Sequence, residues 1–133
     1  RVPMLRRAQT RPHARPPARP SVPADIPYRA ILRALRGHPT PQTEALLLLA
    51  ARDWDPTYRA AAVSSLGWWE PYQAQDVRMT LQRARRDPSP EVRRAMAWQG
   101  CNMGEHPELR DMYIRACDDP DAEVAQDALK GMG

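Results

Sequence analysis

The first 24 residues contain no acidic side chain, yet they hold six arginines: Arg1, Arg6, Arg7, Arg11, Arg15 and Arg19. Without those six, 14 of the 20 basic side chains remain against 16 acidic ones, a net of −2 over residues 25–133. The formal +4 of the whole chain therefore belongs to its first segment. It is no argument that the rest binds nucleic acid. Lysine is nearly missing as well, since Lys130 is the only one. A GC-rich coding sequence gives the same bias, so arginine type alone carries little functional weight.

Cysteine is scarce. Cys101 and Cys117 have no second pair and no Cys-x-x-Cys spacing. They read as small apolar residues in helices of a protein kept in a reducing cytoplasm. His13, His38 and His106 are scattered and form no metal-ligand spacing. No apolar run approaches the roughly 20 residues of a membrane span; the longest is 45–51. No stretch alternates with period two over the length of a strand, so every element is expected to be helical. No nucleophile–base pair, phosphate loop or metal cluster is visible. No catalytic residue, cofactor or metal site is expected, and a binding module is favoured over an enzyme. The chain begins at Arg1 rather than at a methionine, which suggests a fragment or a processed product.

Six of the 15 prolines lie in residues 1–24. Proline removes amide donors and fixes φ, and the arginines repel one another, so this segment reads as a disordered or polyproline-like linker. An organelle-targeting peptide is also rich in arginine, but it is an amphipathic helix. Pro12, Pro16, Pro17, Pro20 and Pro23 forbid one.

From residue 25 the pattern turns helical, and residues 25–133 form the expected folded domain. Tyr28, Ile31, Leu32 and Leu35 fall on one face of a helix over 27–37, with Arg29, Arg33 and Arg36 on another. Gly37 suits its stop. Leu46, Leu47, Leu48 and Leu49 make the helix over 43–52 apolar all round, a helix expected to be covered on more than one side. Further helices are expected over 58–67, 73–86, 91–101, 108–117 and 122–133, divided by turns at Pro56, Pro88 and Pro120.

These elements repeat. Tyr28, Tyr58, Val92 and Val124 open every second helix, at spacings of 30, 34 and 32. Nine residues later stand Gly37, Gly67, Cys101 and Gly133. Pro56, Pro88 and Pro120 are spaced by 32 and 32. A fixed period of this size means one helical hairpin stacked several times, each covering its neighbour's apolar face. Ala60, Ala61, Ala62, Ala95 and Ala97 are small enough to let the helices approach closely.

Asp55-Pro56-Thr57-Tyr58-Arg59-Ala60-Ala61-Ala62, followed by Leu66-Gly67, resembles the HEAT repeat. So does Asp87-Pro88 followed by Val92-Arg93-Arg94-Ala95. The likeness is to the short bacterial type that also occurs in phycobilin-lyase-like proteins, and it covers residues 27–133. It implies an all-α, right-handed α-solenoid, an armadillo-like superhelix of about seven helices. In such repeats a turn aspartate and an arginine six residues later form a ladder between neighbours. Asp53 with Arg59, and Asp87 with Arg93, have that spacing. The last copy has Asp119 but Ala125, and the first has Pro23 before Arg29.

The second-helix face of such a stack resembles the concave, partner-binding side. Steps of 100° place Arg94, Trp98 and Cys101 together on one side of their helix, where the other copies carry Ala60, Ser64 and Gly67, then Gln126, Lys130 and Gly133. Trp98 either packs as core or forms a contact surface with Arg94 over its ring, since tryptophan and arginine are enriched at binding hot spots. Trp68, Ser64 and Asn102 extend that candidate surface, whereas Trp54 and Trp69 are expected to fill the stack.

The expected function is that of a protein-interaction scaffold in the cytoplasm, with a protein partner and no membrane span. A rival arises from Arg78, Arg83, Arg85, Arg86, Arg93 and Arg94, which make the third repeat locally basic. Some HEAT-like proteins are DNA glycosylases with a basic concave cleft, so a nucleic-acid-binding role is the alternative. A lyase-like accessory role is a third.

Overall fold

The computed structural model describes residues 27–69, 75–97 and 107–132. The arginine-rich segment lies outside these residues. Among the described residues there are seven α-helices and no strand: α1 (Tyr28–Ala34), α2 (Pro41–Ala50), α3 (Pro56–Leu66), α4 (Gln75–Arg85), α5 (Pro90–Ala97), α6 (Pro107–Ala116) and α7 (Ala122–Met132). A single 3₁₀ turn, Leu35–Gly37, continues α1.

Local chemistry sets the helix starts. Proline stands at the first position of α2 and α3, where its missing amide costs nothing. Thr40 caps α2 by accepting the amide of Thr43, whose hydroxyl in turn accepts the amide of Thr40. This reciprocal cap starts the helix at Pro41, two residues before the expected start at 43. Asp55 accepts the amide of Thr57 at the start of α3. Asp121 accepts the amides of Glu123 and Val124 at the start of α7.

The packing follows an alternating order. α1 packs on α3, α3 on α5 and α5 on α7, while α2 touches α4 and α4 touches α6. Each consecutive pair, α2 with α3, α4 with α5 and α6 with α7, also packs together. The fully covered side chains between them include Leu32, Leu47, Leu66, Leu81, Met96, Tyr113 and Val124. Tyr28 and Tyr58, which open α1 and α3, meet edge to face with ring centroids 5.0 Å apart.

α3 is the most enclosed helix. It packs against α1, α2, α4 and α5, and Ala60, Ala61, Ala62, Val63, Ser65 and Leu66 are all buried. Enclosure on several sides had been expected for the leucine run of α2. There only Leu47 and Ala50 are buried, and Leu46, Leu48 and Leu49 are half-buried. The reason is position: α2 has α3 and α4 beside it, but no earlier helix of its own layer among the described residues. α3 is lined with alanine, and its neighbours come close enough to bury it on nearly every side.

Candidate functional site

The turns between hairpins share one construction. Asp53 Oδ1 accepts the Asp55 amide, Asp87 Oδ1 the Ser89 amide and Asp119 Oδ1 the Asp121 amide, each at 2.9 Å. A turn aspartate of this kind replaces a backbone acceptor and holds the chain ready for the next helix. Arg59 and Arg93 then clamp the turns. Nη1 of Arg59 donates to the carbonyls of Asp53 and Trp54, and Nη1 of Arg93 to those of Asp87 and Pro88. Their remaining donors cross to the following turn. Arg59 binds both oxygens of Asp87 at 2.9 Å, and Arg93 binds both oxygens of Asp119 at 3.0 and 3.3 Å.

Asp119, present in the last copy without an arginine of its own, and Arg85, which the spacing does not include, both belong to this network. The Asp119 side chain is 0% exposed and accepts from Arg85 as well as Arg93. Ala125 removes the outgoing arginine of its own repeat but leaves Asp119 able to receive from the one before. The second donor, Arg85, has no counterpart in that spacing, because it reaches Asp119 from α4 through packing rather than from the turn.

The candidate contact residues separate. Arg94 donates to Asp127 at 3.0 Å and to Glu123 at 2.5 Å, both on α7. The hydrogen bond that Arg94 donates to Asp127, opposed by desolvation and helped by the charges of Asp127, Glu123 and Asp121, raises its pKa above that of a free guanidinium. Its role in the fold is a bridge from α5 to α7. Trp98 and Asn102, with Cys101 beside them, lie outside the described residues.

Ser64 and Trp68 are brought to one place. The C-terminal halves of α1 and α3 leave a shallow groove lined by Arg33, Ala34, Arg36, Ser64 and Ser65. The Arg36 guanidinium lies 5.1 Å from the centroid of the Trp68 ring, and Trp68 is 53% exposed. Two hydrogen bonds to main-chain carbonyls, one buried and one half-buried, tie α3 and Trp69 to the α1 segment under the groove. Ser65 donates its hydroxyl to the Leu32 carbonyl at 2.6 Å, and the Trp69 indole donates to the Arg36 carbonyl at 3.0 Å. Trp69 is thus the buried neighbour, at 8% exposure, that fixes where Trp68 projects.

Two placements differ from those expected of a repeat. Trp54 does not fill the stack; it is 65% exposed at the turn before α3, because Arg59 claims its carbonyl and the turn faces its ring outward. The position of Arg94 in the repeat is taken in α3 by Ala60, which is buried, so the second-helix face is not open along its whole length.

The arginines of the third repeat are largely committed. Arg85 and Arg93 hold Asp119, and Arg94 holds Asp127 and Glu123. Arg83 and Arg86 remain exposed, along a groove between α4 and α6 that also carries Asp87 and Asp111. Cys117 is a half-buried free thiol packed on the core, with Sγ 3.7 Å from the Tyr113 carbonyl. Among the described residues no group of three or more histidine, cysteine or acidic side chains is placed to hold a metal. No described helix is long and apolar enough to cross a membrane. Comparison of the chain with protein-family models, with curated proteins and with solved structures finds no match.

Proposed function

We propose that the chain is a HEAT-like α-solenoid that acts as a protein-interaction scaffold, with its partner docking on the layer formed by α1, α3, α5 and α7. The observation that carries this is Trp68: a large exposed aromatic on a rigid base, with an arginine stacked on it and a groove at its side. Aromatic and arginine anchors of low conformational freedom are what binding surfaces use for most of their affinity. The alternating packing of the helices and the arginine–aspartate contacts from turn to turn support the repeat reading.

The nucleic-acid alternative draws on the basic third repeat, and the commitment of Arg85, Arg93 and Arg94 to carboxylates weakens it. Absence of any shift of a labelled duplex at low salt eliminates it, because phosphate-driven binding is strongest there. The lyase-like accessory role has no residue to recommend it.

A photoreactive amino acid at position 68 tests the scaffold reading, with one at exposed Ile114 on the opposite layer as control. Protein cross-links from position 68 and not from 114 are the expected result. Equal cross-linking from both, or none from 68, rejects the docking face.

A further inference from the structure

We infer that the groove between α1 and α3 takes a short acidic peptide segment, its carboxylates on Arg33 and Arg36 and an apolar side chain on Trp68. The proposal rests on the scaffold reading and adds the chemistry of the partner.

Arg29, Arg33 and Arg36 recur at intervals of four and three along α1, which places them along one stripe. The helix and its 3₁₀ extension contain no acidic residue. Arg33 and Arg36 are exposed, and neither forms an ion pair among the described residues. That sets them apart from Arg59, Arg85, Arg93 and Arg94, each of which is matched to a carboxylate of another element. Arg52, Arg83 and Arg86 are likewise exposed with no ion pair among the described residues, so it is not the free charge that marks this groove but the placement of the Arg36 guanidinium over the exposed Trp68 ring. The Arg36 guanidinium is already oriented by the Trp68 ring. A carboxylate that joins it therefore orders less side chain than it would on a free arginine.

The same layer argues against an extended polyanion. A nucleic-acid backbone that continues past α3 and α5 meets Asp121, Glu123 and Asp127 around α7, where Arg94 is outnumbered. Like charges of that kind exclude a long run of phosphates but do not touch a ligand confined to α1 and α3. Arg33 and Arg36 lie about 5 Å apart along the axis at roughly 1.5–2 Å of rise per residue. That is the reach of about two residues of extended peptide.

The test is fluorescence anisotropy of the full chain with three labelled probes: a glutamate-rich peptide with a central leucine, the same peptide with lysine for glutamate, and a single-stranded oligonucleotide of equal charge. Binding of the acidic peptide alone is expected, with affinity falling as salt screens the contact. The Arg33→Glu/Arg36→Glu double variant should lose about tenfold or more in affinity, while Arg83→Glu/Arg86→Glu on the other layer changes it less than about twofold. Trp68→Ala gives an independent loss of binding should the charge reversal unfold the chain. No binding of the acidic peptide, tighter binding of the oligonucleotide, or equal loss in the two charge-reversed variants overturns the proposal. Cross-linking at position 68 without acidic-peptide binding leaves the scaffold reading standing and removes only the acidic partner.

Discussion

Arg93 and Arg94 are adjacent, alike in type and both paired to carboxylates, yet burial gives them different weights. Arg93 reaches Asp119, whose side chain has no exposure, and also holds two turn carbonyls. Removing it leaves a buried carboxylate with Arg85 as its one cation and the Asp121 amide as its other donor among the described contacts. Arg93→Ala should cost about 3 kcal/mol, in the range for a broken buried pair, and lower Tm by on the order of 10 °C or more. Arg94 is 47% exposed, and exposed pairs contribute at most about 1 kcal/mol. Arg94→Ala should therefore shift Tm by only a few degrees. Thermal melts of both variants under one condition check the order; equal losses contradict it. Trp68 and Trp69 make a second such pair. Trp69→Ala removes a buried indole and its hydrogen bond, at about 3–5 kcal/mol, whereas Trp68→Ala should stay within about 0.5 kcal/mol of the parent. Chemical denaturation separates the two. Residue type was plain from the sequence in both pairs. Which member is buried was not, because one residue further along a turn reverses the direction of a side chain.

The seven described helices were legible to within a few residues because apolar spacing, proline starts and turn aspartates all agreed. The disagreements came from features that spacing does not carry. A reciprocal cap between Thr40 and Thr43 starts α2 early. The leucine run of α2 is more conspicuous than the alanines of α3, yet α3 is the enclosed helix. α3 has four packed neighbours where α2 has two, and its alanines let those neighbours approach closely. Ala61 has no exposure, so Ala61→Leu forces a larger side chain into a closed contact. It should cost about 1–3 kcal/mol. Leu46→Ala in α2, a half-buried site, should cost less than a core leucine deletion of about 2–5 kcal/mol. A urea series that shows the opposite ranking would place the core elsewhere.

Among the described helices, contacts run mainly between elements that are near in sequence. A helix with few packed neighbours opens at a lower free-energy cost than one enclosed on several sides. Amide exchange should be slowest in α3, which has neighbours on several sides, and faster in α1 and α7. Uniform protection across the seven helices would show a single cooperative unit instead. The contacts of Arg59 with Asp87 and of Arg93 with Asp119 tie successive turns to one another. They belong to the fold and carry no information about a partner.

The sequence by itself determined the helical class, the period, the turns and the aspartate–arginine spacing. Each depends on neighbours a few residues apart or on a residue type that recurs. Only the tertiary structure decided that Arg94 is matched to Glu123 and Asp127, and that Asp119 receives two arginines. It also decided that Trp68 stands exposed under Arg36 while Trp69 is buried. Those outcomes depend on which side chains of separate helices come within a few ångströms, and that distance is set by packing between elements, not by the order of residues within one.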